Sequence, residues 1–171
     1  MLSNLLRIAA LVAVAAPLSA SPGLFNAPKG YMLIGELDTG NQGSVVVADF
    51  NGDGNADMAV ADGSLDQVWI FLGNGDGTFR GPSAYSVSTP HSLAVADFNG
   101  DGKLDLVAAD WLGGTVSILL GNGDGSFQAP LRFAVGSYPS SVAVGDFNGD
   151  GIPDVAVAVL YGWPIHFIGE R

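Results

Sequence analysis

The chain has 171 residues, 48% hydrophobic and 13% charged, with 25 Gly and no Cys. Such apolar content excludes intrinsic disorder, and the lack of cysteine excludes a disulfide scaffold or a zinc-thiolate site. Six basic residues against 17 acidic ones give a formal charge of -11, which leaves no cationic face for nucleic-acid phosphates or anionic lipid and makes cations the natural partners.

Met1 to Ala20 reads as a secretory signal. Arg7 supplies the positive charge, Ile8 to Ala16 is an unbroken apolar run too short to span a bilayer, and Pro17, Ser19 and Ala20 form a small-residue cleavage region. The expected product is secreted or extracytoplasmic, with no membrane insertion once the signal is removed. Abundant Gly beside β-branched runs then predicts strands and tight turns rather than helices.

After the signal a repeat dominates. Asp49-Phe50-Asn51-Gly52-Asp53-Gly54 returns as Asp97-Phe98-Asn99-Gly100-Asp101-Gly102 and as Asp146-Phe147-Asn148-Gly149-Asp150-Gly151, at spacings of 48 and 49 residues. A second block, Leu72-Gly73-Asn74-Gly75-Asp76-Gly77-Thr78-Phe79, recurs as Leu120-Gly121-Asn122-Gly123-Asp124-Gly125-Ser126-Phe127. The step from Asp57 to Gly73 and from Asp105 to Gly121 is 16 residues; the corresponding step in the third unit, Asp154 to Gly169, is one shorter.

Within a unit, short strand signals alternate with Gly and Asp clusters. Ser44 to Ala48, Met58 to Ala61, Gln67 to Leu72 and Tyr85 to Val87 are predicted strands of the first unit. Ser92 to Ala96, Leu106 to Ala109, Thr115 to Leu120 and Arg132 to Val135 are those of the second. Runs such as Val45-Val46-Val47-Ala48 and Val155-Ala156-Val157-Ala158 lack polar alternation, as expected of strands buried on both faces. Four antiparallel strands every 48 residues or so predict an all-β chain, a partial β-propeller of about three four-stranded antiparallel blades. The expected divisions are the signal at 1–20, an N-terminal segment at 21–43 carrying the outer strand of an incomplete blade (Tyr31 to Leu37), repeats at 44–91 and 92–139, and an incomplete repeat at 140–171. Pro164 and His166 stand where the other units have β-branched residues, which puts the last blade in question.

The acidic loops carry the chemistry. Each reads D-x-N-x-D-G-x-x-D: Asp49, Asn51, Asp53 and Asp57; Asp97, Asn99, Asp101 and Asp105; Asp146, Asn148, Asp150 and Asp154. With a backbone carbonyl at position 7 from Asn55, Lys103 or Ile152, each loop offers enough oxygens for a hard cation, and Ca²⁺ fits better than Mg²⁺, which keeps more of its water. About three ions are expected, one per loop. Carboxylates about 5 Å apart repel by roughly 3 kcal/mol per pair at an effective dielectric near 20, so an ion should order the loops. An EF-hand is excluded because position 12 is Val60, Ala108 or Val157 and both flanks are β-like.

These motifs resemble the FG-GAP or VCBS repeats of integrin α-chain-like β-propellers over Phe25 to Gly169. The resemblance implies that the nine-residue loop links two strands of a blade and holds Ca²⁺, and that the listed Asp and Asn residues match the family's ligands. It implies a calcium-binding module for extracellular protein or glycan, with a role in adhesion. Three units cannot close a ring, since propellers have at least four blades, so self-association that completes a ring is one expectation and a fragment of a larger repeat protein the other. Catalytic signatures are missing. His91 and His166 occupy unrelated repeat positions, and no nucleophile-base pattern, P-loop or zinc motif is present. An accessory part of a carbohydrate- or lipid-active enzyme is the alternative reading. Trp69, Trp111, Trp163, Tyr138 and Tyr161 share no repeat position; Trp111, in the predicted loop Asp110 to Gly114, is the best candidate to stack on a sugar.

Overall fold

A computed structural model describes residues 12–14, 30–32, 43–161 and 165–168. The chain divides into two units, Met1–Leu37 and Asp38–Arg171. In the first, β1 (Val12–Val14) pairs antiparallel with β2 (Gly30–Met32). That pairing is the described environment of the segment expected to supply an outer strand; residues 33–37 lie outside the described residues.

The second unit is all β among its described residues. Blade 1 orders β3 (Val45–Ala48), β4 (Asp57–Asp62), β5 (Gln67–Phe71) and β6 (Ser83–Ser86). Blade 2 repeats this with β7 (Pro90–Ala96), β8 (Asp105–Asp110), β9 (Thr115–Leu119) and β10 (Leu131–Ala134). Blade 3 has three described strands, β11 (Ser137–Gly145), β12 (Asp154–Tyr161) and β13 (Ile165–Ile168). All neighbours are antiparallel. His166 does not break the last pairing, because β13 meets β12 in the register Val157 to His166; Pro164 lies outside the described residues.

Alternation along each strand makes two packing faces. Ala59, Ala61, Val68 and Ile70 of blade 1 meet Leu93, Leu106, Ala108 and Leu119 of blade 2 in one buried cluster. The opposite face of blade 2, with Val107, Ala109, Val116 and Ile118, meets Val142, Val155, Val157 and Val159 of blade 3 in another. Each large side chain buried there contributes about 2 kcal/mol. Polar pegs register the stack: Ser44 Oγ accepts from Leu93 N–H at 3.1 Å, and Ser92 Oγ accepts from Val142 N–H at 3.2 Å.

One expectation needs correction. The apolar run of β3 is not buried on both faces: Val45 and Val47 are 55% and 64% exposed. Leu93, which stands in repeat 2 where Val45 stands in repeat 1, is buried because blade 1 covers it, and no described blade covers Val45 in the same way. For the same reason the loop phenylalanines differ. Phe50 is buried with its edge on Phe127 at 5.5 Å, Phe98 packs against the second cluster, and Phe147 is 54% exposed.

Candidate functional site

The three acidic loops join the first and second strands of each blade at one rim, and they repeat bond for bond. Asp49 Oδ1 accepts from the N–H groups of Gly52 (2.8 Å) and Asp53 (3.2 Å), and its Oδ2 from Gly54 N–H (2.8 Å). Asp97 does the same for Gly100, Asp101 and Gly102, and Asp146 for Gly149, Asp150 and Gly151. Wrapping the chain around one carboxylate needs a left-handed residue at position 6, and Gly54, Gly102 and Gly151 supply it at φ of 83°, 81° and 85°. Asn51, Asn99 and Asn148 each accept, through Oδ1, from the N–H two residues on at 2.9 Å. Asp53, Asp101 and Asp150 accept from the N–H of Asn55, Lys103 and Ile152 at 2.8, 2.9 and 2.8 Å.

Asp57, Asp105 and Asp154 at position 9 are set apart by burial, at 0%, 0% and 5% exposure. Asp57 Oδ2 accepts from Phe50 N–H at 2.9 Å and its Oδ1 from Gly73 N–H at 2.7 Å. Asp105 holds Phe98 and Gly121 identically, at 2.9 and 2.7 Å. Asp154 accepts from Phe147 N–H at 3.0 Å. The 16-residue spacing visible in the sequence is therefore a hydrogen bond, closing the loop onto the third strand. Gly73 and Gly121 are obligatory there, since a β-carbon on either would sit 2.2 Å from the carbonyl oxygen of Ala56 or Leu104.

Electrostatics separate the carboxylates. Backbone amides draw the carboxyls of Asp53, Asp101 and Asp146 below their ordinary range. Burial pushes Asp105 up, although the amides of Gly121 and Phe98 oppose it. Arg80 Nη2 lies 3.7 Å from Asp53 and Lys103 Nζ 3.5 Å from Asp101. Among the described residues no three acidic or histidine side chains converge into a ready ion cage. The donor chemistry nonetheless suits a hard cation: every candidate donor is an oxygen, and each carboxylate oxygen holding one N–H keeps a second lone pair.

The Asn-Gly-Asp-Gly blocks are turns stitched from within. Asp76 Oδ1 accepts from Thr78 N–H at 2.9 Å and Asp124 Oδ1 from Ser126 N–H at 2.9 Å. At the opposite rim, three aromatics with no shared repeat position come together. Trp111 stacks on His91 at 4.6 Å, Tyr138 lies 5.2 Å from Trp111, and Tyr161 lies 5.8 Å from Tyr138. Trp69 stands apart on β5, and Trp163 lies outside the described residues. Nothing in the sequence joins His91 to Trp111, because the two stand 20 positions apart in different hairpins.

Two overlapping stretches, residues 49–108 and 97–157, match the FG-GAP-like repeat. No curated protein matches the chain. Among solved structures, a mutant Tc holotoxin pore of Photorhabdus luminescens is 22% identical over 80% of this chain and 7% of its own, with a TM-score of 0.50. TcdB2-TccC3 without its hypervariable C-terminal region is 20% identical over 84% of this chain and 7% of its own, with a TM-score of 0.51. Both likenesses concern the fold alone. An Agrocybe aegerita lectin, described for specific recognition of non-reducing terminal N-acetylglucosamine, is 26% identical over 68% of this chain and 32% of its own, with a TM-score of 0.48. The chain thus spans less than a third of the length of each of these three chains.

Proposed function

Because the chain belongs to the FG-GAP-like repeat family, we infer that it is a calcium-binding propeller module that displays a surface for protein or glycan, secreted or held at the cell surface, and without catalysis of its own. The observation that carries the reading is the threefold recurrence of one oxygen-rich loop with the same internal bonds. Asp49, Asn51, Asp53, the Asn55 carbonyl and Asp57 would hold one ion; Asp97, Asn99, Asp101, the Lys103 carbonyl and Asp105 a second; Asp146, Asn148, Asp150, the Ile152 carbonyl and Asp154 a third. Bound there, Ca²⁺ supplies positive charge that offsets the mutual repulsion of three carboxylates. Export rests on the signal-like first 20 residues. The absence of catalysis rests on chemistry: the clustered acids are committed to loop structure, and His91 is stacked on Trp111.

Calorimetric titration with CaCl₂ tests this. Three equivalents are expected, with Kd of about 10⁻⁴ to 10⁻³ M as in extracellular modules. Ca²⁺ at ten times Kd should stabilise by about 1.4 kcal/mol per site, read as a higher melting temperature that chelator reverses. Asp101→Asn should remove one equivalent. Unchanged stoichiometry in that variant, or no heat at 10 mM Ca²⁺ (about ten times the weakest expected Kd), would refute the assignment.

A further inference from the structure

On the rim away from the acidic loops, the two junctions between blades differ in a way the repeat does not predict. In the first junction the turn between β4 and β5 is Gly63-Ser64-Leu65-Asp66, and Asp66 Oδ1 accepts from Thr89 N–H (2.7 Å) and Oγ1 (3.1 Å). That carboxylate laces the turn to the start of β7. In the second junction the turn is Trp111-Leu112-Gly113-Gly114, so Gly114 stands where Asp66 stood and the lace is gone. The link Val87-Ser88-Thr89-Pro90 becomes Val135-Gly136-Ser137-Tyr138-Pro139, one residue longer. The backbone frame survives: Val87 N–H donates to Asp66 O at 3.0 Å, and Val135 N–H donates to Gly114 O at 3.1 Å.

Where the lace is missing and the link is longer lies an open cleft of about 450 Å³, lined by Gly113, Gly114 and Gly136 together with Trp111, Leu112 and Tyr138 and the Ser137 hydroxyl. Gly114 is required by the close approach of the next link, since a β-carbon there would lie 3.1 Å from Gly136 O. Tyr138 occupies the left-handed conformation that Thr89 occupies in the first junction, φ 56° against 47°. The aromatic row is not spent on core packing, because Tyr138 is 38% and Tyr161 65% exposed.

We propose that this cleft is a saccharide site, taking the end of a soluble, neutral glycan. The inference rests on the reading of the chain as a binding module and names the ligand class and the place. Aromatic faces carry negative charge density that attracts the C–H groups of a pyranose face, while the Ser137 and Tyr138 hydroxyls and the glycine backbones offer hydrogen bonds to sugar hydroxyls. Within the cleft Trp111 and Tyr138 are turned 51° to one another, a bent wall suited to a chain end rather than a flat shelf for crystalline polysaccharide. A formal charge of -11 selects against sulfated and uronic glycans.

The full chain, fluorescently labelled, is applied to a glycan array, and neutral oligosaccharides that bind are titrated by calorimetry against the wild type, Trp111→Gly and Tyr138→Thr. Both substitutions install the repeat-1 residue at the equivalent position, so the melting temperature should hold. A loss of affinity of tenfold or more in either folded variant supports the cleft. Wild-type binding that neither variant weakens overturns the cleft while leaving the module reading intact. Binding to no neutral glycan also overturns the proposal, and capture of an extracellular protein by the same preparation would keep the broader reading.

Discussion

At the rim that carries the acidic loops, successive repeats share the same carboxylate-to-amide bonds. At the other rim they share a backbone frame and little else. In the first junction Asp66 ties a turn shut across Thr89, and in the second Gly114 and Tyr138 leave it open. The invariant rim is where each loop must close on its own blade, so changing a position-9 carboxylate strands buried amides. The variable rim is spanned by hairpin turns that both junctions close with the same backbone bond, so exposed side chains there change the surface at small cost.

The largest break in that comparison should come from Asp105→Ala, which strands the N–H groups of Phe98 and Gly121. A loss of about 4 kcal/mol is expected in urea unfolding. A loss below about 1 kcal/mol would mean that the carboxylate is no clasp. Leu106→Ala, inside the first inter-blade cluster, should cost about 3 kcal/mol. Val45→Ala, on the exposed β3 face, should stay within about 0.5 kcal/mol. Equal losses in the two variants would show that a further sheet covers β3 in solution.

Asp66→Gly should cost only about 1 kcal/mol, because losing the lace to Thr89 is partly offset by relieving a left-handed φ of 55°. It should render the first junction like the second, read as faster amide exchange at Thr89. The smallest effect concerns pH. Asp110 is fully buried; its Oδ2 accepts from Thr115 and Ser117 at 2.7 and 2.6 Å, and its Oδ1 has no partner among the described residues. Burial raises its carboxyl above 3.8, with Ser117, Thr115 and Arg132 opposing. The folded state therefore keeps this proton longer than the unfolded state does. The stability so gained is present below 3.8 and lost as pH climbs through the folded value. Asp110→Asn should flatten that decline; a variant whose stability falls with pH as steeply as the wild type would show that Asp110 is not its source.

The fold was legible in the sequence because a 48-residue period with acidic turns fixes both strand count and connectivity, and most predicted strands fall within two residues of their observed ends. What period alone could not give is context. Val45 and Leu93 are equivalent in sequence yet one is exposed and the other buried, because burial depends on which blade lies alongside. The 16-residue step from Asp57 to Gly73 was visible, but its meaning as a hydrogen bond required the hairpin to be folded back on the loop. The aromatic cleft was the least legible. Its members come from three different turns and strands, and only the departures from the repeat, Trp111 and the extra residue before Pro139, mark the place.

The serine pegs have an evolutionary consequence. Blades 1 and 2 each grip the next blade through a hydroxyl near the start of their first strand, Ser44 on Leu93 and Ser92 on Val142. A tandem duplication of one unit therefore carries its own fastening with it. The array can be lengthened by copying, with no compensating change elsewhere, and later tuned junction by junction.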